Sequence, residues 1–221
     1  MKEISVLTGR TMKLYLKNPL SILFSFVYML LFIVLISLFL GDYMAKGMMD
    51  VYAEVEGMDF AHIRWLVDTT SMAGVLMINC ILVPLNVLTI MVQDSNDNRL
   101  DSFLVSAAAR NKLVVGYWLA PFLAGIVMNI LCLFIAEGVT VMNGGEWLSI
   151  RSHIEMAGLI IANTFSATSI LFAAAMLTKS VSLYSTFTGI MSALAGFLTG
   201  AFLPIGMFPA NIQKIFVLIP A

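Results

Sequence analysis

Five stretches without Asp, Glu, Lys or Arg, each long enough to cross a bilayer as a helix, dominate this sequence: residues 18–41, 69–93, 113–136, 156–178 and 180–213. A helix needs about 20 apolar residues to span the ~30 Å hydrocarbon layer. Every backbone N–H and C=O in that layer must be satisfied within the segment. An all-α, polytopic membrane protein is therefore expected. Composition agrees: 60% of the 221 residues are hydrophobic, against about 45–50% in soluble domains. Mean hydropathy is +0.96. The first stretch is too long for a secretory leader and has no small-x-small cleavage site after Gly41, so it reads as a retained span.

The expected layout is one permease-like domain over 1–221. An interfacial helix over 1–19 precedes spans at 20–41, 71–92, 113–136, 157–178 and 181–203. An outer loop fills 42–70, a cytoplasmic loop 93–112, and a re-entrant or interfacial outer hairpin 204–221. The last charge-free stretch is too long for one helix, and Pro204, Gly206 and Pro209 end the helix within it.

Orientation follows from Lys and Arg, which stay cytoplasmic. Eight of the twelve fall on one side: Lys2, Arg10, Lys13, Lys17, Arg99, Arg110, Lys112 and Lys179. Lys46, Arg64, Arg151 and Lys214 fall on the other. The amino terminus and the loop 93–112 are thus expected in the cytoplasm. A net charge of −1 argues against a nucleic-acid partner.

The polar segments differ in character. In 93–112, Leu100, Phe103, Leu104 and Ala107 recur at helical spacing, and the Asp/Asn cluster ahead of them supplies N-caps. This predicts a short amphipathic helix at the membrane surface. In 1–19, Lys2, Arg10, Lys13 and Lys17 share an arc of about 80°. The opposite face of Ile4, Thr8, Met12 and Tyr15 is weakly apolar. The simpler reading is a solvated basic stripe, the sharper one an interfacial helix touching a cytoplasmic partner. Asp42, Asp50, Glu54, Glu56, Asp59 and Asp68 read as a solvated, partly helical outer loop, since no D-x-D-x-D-G calcium order appears.

Within the spans, Asn79, Asn86, Asn129 and Asn163 are expected to face other helices through hydrogen bonds of ~0.6 kcal/mol. A role in lining a substrate path is the weaker reading. Cys80 and Cys132 read as small core residues. In the fifth stretch, Ser185, Gly189, Ser192, Gly196 and Gly200 form a small-residue face suited to close helix packing.

Catalytic chemistry is missing from the pattern. There is no G-x-x-x-x-G-K-[ST] and no metal-ligand spacing around His62 or His153. Glu137, at the end of the third span, reads as an interfacial, solvated carboxylate. A proton-linked role has no buried basic partner visible in the sequence.

Two segments resemble the membrane subunit of ABC-2-type (type V) ABC exporters. After Asp94, the positions Leu100, Asp101, Leu104, Ala107, Arg110, Leu113 and Gly116 match the family's coupling helix, turn and next span. Gly200, Pro204, Phe208, Pro209 and Pro220 match its outer hairpin. The resemblance implies a permease subunit that pairs with an identical or paralogous permease and with a separate ATP-binding subunit carrying ATP and magnesium. That subunit would dock on Arg99, Asp101, Phe103, Leu104 and Arg110, and on Arg10, Lys13 and Lys17 of the amino-terminal helix. The chain itself would be no enzyme and would hold no cofactor. It would lie in the plasma or inner membrane. A sixth span is expected beyond Ala221, as if the sequence stopped before the last transmembrane helix. A gradient-driven transporter or channel, or an accessory membrane protein, is the alternative.

Overall fold

The computed structural model describes residues 2–52, 59–100, 110–178 and 180–199, whose regular structure is entirely helical. Helix α1 (Lys2–Leu16) leads to α2 (Pro19–Leu35), which starts on the proline whose missing N–H a first helical turn does not need. A π-helical turn (Ile36–Leu40) joins α2 to α3 (Gly41–Tyr52) without a break. Such turns insert a residue and rotate the faces that follow. Before it, Met29, Phe32 and Ile33 pack on the central core, and after it Ala45 packs on Ile63 and Val67.

Helix α4 (Phe60–Asn96) is 37 residues long. Its N-cap is Asp59, whose carboxylate accepts from the His62 N–H at 2.9 Å. At 1.5 Å per residue it reaches about 55 Å, well beyond the hydrocarbon layer. The helix runs past the expected span at 71–92 at both ends. The first turns of α4, together with α3, take up described parts of the expected outer loop. At the other end, helical residues resume at Arg99 and Leu100, the last described residues of this part of the chain. Asp94 lies in the last turn of α4, Asp97 is its C-cap, and the chain leaves through Asn98 at φ 56°. Asparagine tolerates that left-handed conformation better than most residues.

Helices α5 (Arg110–Met142), α6 (Ile150–Leu177) and α7 (Val181–Leu198) complete the described chain. Among the described residues, α4, α5 and α6 are long and apolar enough to cross a membrane. Helix α4 is the hub and contacts every other helix. Its middle is buried nearly all round, from Val75, Leu76 and Ile78 to Leu85, Val87 and Leu88, as expected of a helix enclosed by others. Three of these helices approach closely at Gly125 of α5. A Cβ there would stand 2.5 Å from Thr164 Cγ2 of α6 and 3.5 Å from Pro84 of α4.

The α5–α6 turn is built by sequence. Gly144 adopts φ 93°. The Gly144 N–H donates to Val141 O at 3.0 Å and the Gly145 N–H to Thr140 O at 3.0 Å, which is the Schellman arrangement. Ser149 then caps α6, its hydroxyl accepting from the Ser152 N–H at 3.1 Å.

Candidate functional site

At the end of the bundle where α4 finishes and α5 begins, α1 lies against both. Leu7 rests on Gly116, where a Cβ would approach Leu7 Cδ2 to 2.8 Å. Thr8 Oγ1 donates to Gly116 O at 3.2 Å, so a polar residue on this face is satisfied on burial. One turn on, the Arg10 guanidinium forks onto the Asp94 carboxylate, Nη1 to Oδ2 at 2.6 Å and Nη2 to Oδ1 at 2.9 Å. Tyr117 Oη donates to Asp94 Oδ2 at 2.8 Å. Asp94 is only 3% exposed, so three elements meet on one buried carboxylate. Arg99 adds Nη1 at 3.7 Å from Asp94 Oδ1 and Nη2 at 3.3 Å from Asp97 Oδ2. Lys112 at the start of α5 reaches Glu3 of α1 at 2.6 Å.

The electrostatics follow from these contacts. The hydrogen bonds to Asp94 hold Arg10 more firmly protonated than a free guanidinium. The Lys112 contact keeps the Glu3 carboxyl below its ordinary range. Bidentate, charge-assisted pairs of the Arg10–Asp94 kind are the strong class of hydrogen bond. The amino-terminal helix is therefore docked on the bundle through Leu7, Thr8 and Tyr15, and of its basic stripe Arg10 is drawn into the junction. Lys13 and Lys17 remain exposed.

Beside this junction, a polar-lined cleft of about 730 Å³ lies between α1, α4 and α7. Asn86, Thr89, Gln93, Ser185 and Thr188 line it, with Asp97 and Arg99 at one end. Of the four candidate asparagines, Asn86 is the one on this cleft. The others sit in helix packing: Asn79 Nδ2 donates to Cys132 Sγ at 3.3 Å, Asn129 Nδ2 to Gly125 O at 2.9 Å and Asn163 Nδ2 to Met77 Sδ at 3.0 Å. Arg110 lines an apolar groove with Leu100, Leu113 and Phe172. On α7, Gly189 is exposed and Gly196 buried. Asp101, Phe103, Leu104, Gly200, Pro204, Pro209 and Pro220 lie outside the described residues. Among the described residues no cluster of three His, Cys, Asp or Glu is placed to hold a metal ion.

No protein-family model, curated protein or solved structure matches this chain. Its reading rests on its own residues and geometry.

The opposite end of the bundle holds a second polar assembly that the sequence did not bring together. Arg64 binds Asp68 one turn away, Nε to Oδ2 at 3.2 Å, and its Nη1 meets Asp42 of α3. Asn143 Nδ2 donates to Asp68 Oδ2 at 3.3 Å. Asp68 is thus buried, not part of a solvated loop. Glu137 is buried as well and has a basic partner. Its Oε1 accepts from the Leu148 N–H at 2.7 Å and its Oε2 contacts His153 Nε2 at 2.9 Å, which corrects the solvated reading.

Sequence reading also passed over Tyr117. The available signal was a phenol within an apolar stretch, where a hydroxyl has to find a partner.

Proposed function

We propose that this chain is the membrane-spanning permease subunit of an ATP-binding cassette exporter, driven by ATP hydrolysed on a separate subunit. The observation that carries the reading is the Arg10–Asp94–Tyr117 junction. It fastens the basic amino-terminal helix to the start of the polar segment 93–112, so a push delivered to either is passed to α4 and α5. These 221 residues carry no P-loop, and the reading assigns that push to a separate ATP-binding subunit.

In this reading α2 and α7 supply two further spans beside α4, α5 and α6, and the junction faces the cytoplasm of a plasma or inner membrane. The ATP-binding subunit docks on 93–112 through Arg99, Asp101, Phe103, Leu104 and Arg110, with Lys13 and Lys17 offered from α1. The cleft around Asn86 and Thr188 receives substrate, completed by a second permease.

The reading is tested by co-expression with an ATP-binding subunit encoded beside this chain, followed by flux in sealed membrane vesicles. ATP-dependent flux that needs both subunits supports it. Flux driven by an ion gradient without that subunit, or no ATP-dependent flux with the intact complex, overturns it.

A further inference from the structure

The contact between Glu137 and His153 has a proton count that geometry fixes. His153 Nδ1 lies 3.0 Å from the Ser149 carbonyl oxygen, which can only accept. His153 Nε2 lies 2.9 Å from Glu137 Oε2, which also only accepts when ionised. A neutral imidazole carries one N–H and cannot satisfy both. The pair therefore holds one proton more than a neutral histidine beside a carboxylate, either as imidazolium or as a protonated carboxyl. Phe134 stacks on the ring with centroids 6.0 Å apart, a placement that favours the cation.

The surroundings make this proton structural. The Glu137 side chain is 3% exposed and that of His153 27%. The same carboxylate holds the Leu148 N–H at 2.7 Å. Glu137 thus ties down both the turn after α5 and the first turns of α6. Those first turns carry Arg151, His153 and Glu155 and lie ahead of the apolar run 157–178.

Among the described residues the neighbouring charges are few. Glu146 of the turn lines the small cavity beside Glu137, and α4 contributes Trp65, Thr69 and Met72 to that cavity. On α6, Arg151 pairs with Glu155 at 2.8 Å. The hydrogen bond to Ser149 O, then the bond to Glu137, holds the His153 imidazole protonated to a pH above its ordinary value.

We propose that Glu137 and His153 form a proton-held clasp that fastens the α5–α6 turn to the bundle and releases it as pH rises. On losing the shared proton to solvent, the imidazole keeps one N–H. One of its two contacts then sets a lone pair against an acceptor. Buried Glu137 is left with the Leu148 N–H, and a buried carboxylate short of partners draws in water. The sign is fixed: the clasp is complete below the pH at which a free imidazole titrates, ~6.5, and is lost as pH passes the pair's own, higher value.

The test uses the full chain in lipid nanodiscs. The sequence has two histidines, so His62→Gln leaves one set of imidazole resonances, from His153. Trp147 sits in the turn and is largely exposed. Its indole N–H signal, assigned with Trp147→Phe, reports on the turn. His153 is expected to titrate above the free value, and the Trp147 signal to shift with the same midpoint.

Glu137→Gln retains a carbonyl for Leu148 and offers an amide N–H to neutral His153. It should lower the His153 midpoint and, above that midpoint, keep Trp147 in the position it holds in the unsubstituted chain at low pH. Glu146→Gln should leave both unchanged. If Glu137→Gln does not yield folded protein, His153→Gln provides the second check, removing the Trp147 pH response. A Trp147 signal that does not move between pH 5 and 9, or one that moves independently of His153, overturns the clasp.

Discussion

Arg10 and Asp94 stand 84 positions apart in sequence, and their side chains meet in two hydrogen bonds of 2.6 and 2.9 Å. Arg10 is partly exposed and Asp94 buried, so the aspartate bears the greater loss when the pair is broken. Removing one partner of a buried pair costs about 3–5 kcal/mol. With Arg10 partly solvated and Tyr117 still donating, Arg10→Ala is expected to cost about 2–3 kcal/mol. Tyr117→Phe should cost about 1–2 kcal/mol, as one hydrogen bond to a charged group is lost. The double variant should depart from additivity by at least ~0.5 kcal/mol. Denaturation in detergent micelles measures all three, and strict additivity would mean that Arg10 and Tyr117 do not share Asp94.

Gly125 and Thr164 give a sharper packing test. Gly125→Ala places a methyl against Thr164 Cγ2 and is expected to destabilise by about 1–3 kcal/mol through overpacking. Thr164→Ser removes that Cγ2 and keeps the hydroxyl, which donates to Cys80 Sγ at 3.4 Å. The Gly125→Ala/Thr164→Ser pair should therefore regain most of the loss. Thermal unfolding of the two single variants and the pair decides it, and no regain would place the strain elsewhere.

Asn86 and Asn79 separate cleft from packing. If the cleft takes substrate, Asn86→Leu should lower ATP-dependent flux about tenfold, equivalent to ~1.4 kcal/mol, with folding and partner co-purification intact. Asn79→Leu, whose described contact is to a cysteine sulfur, should change stability by less than about 1 kcal/mol and leave flux near its starting level. Equal flux in both variants would remove Asn86 from the substrate path.

The docking reading makes its own demand on 93–112. Reversing charge with Asp101→Lys or Arg110→Glu should weaken co-purification of the ATP-binding subunit and uncouple flux, while membrane insertion is retained. Rim charges act on partner association more than on fold. Unchanged co-purification and flux in both variants would move the docking surface away from this segment.

The helices themselves were legible because charge-free stretches leave few alternatives in a chain this apolar. Their lengths were less so. Arg64 and Asp68, one turn apart, continue α4 by pairing with each other, so charges that looked like loop are helix. The buried face of α1 was masked because it includes Thr8, whose burial depends on the Gly116 carbonyl of a distant helix. Arg10–Asp94 had no local signature at all. Glu137–His153 had a partial one: the two residues flank a short helix–helix connection, which brings the adjoining helix ends together. The Asn-Gly-Gly at 143–145 marked that turn in the sequence.

Helix α4 carries a buried, ion-paired aspartate near each end, Asp68 and Asp94. At 1.5 Å per residue they are separated by about 39 Å, against a hydrocarbon layer of ~30 Å. Set in a membrane, a rod with charged margins this far apart would resist sliding along the membrane normal, because sliding would drag one set of charges into hydrocarbon. A thinner or thicker bilayer would then be met by tilt, and tilt of this one rod would carry the helices packed on it.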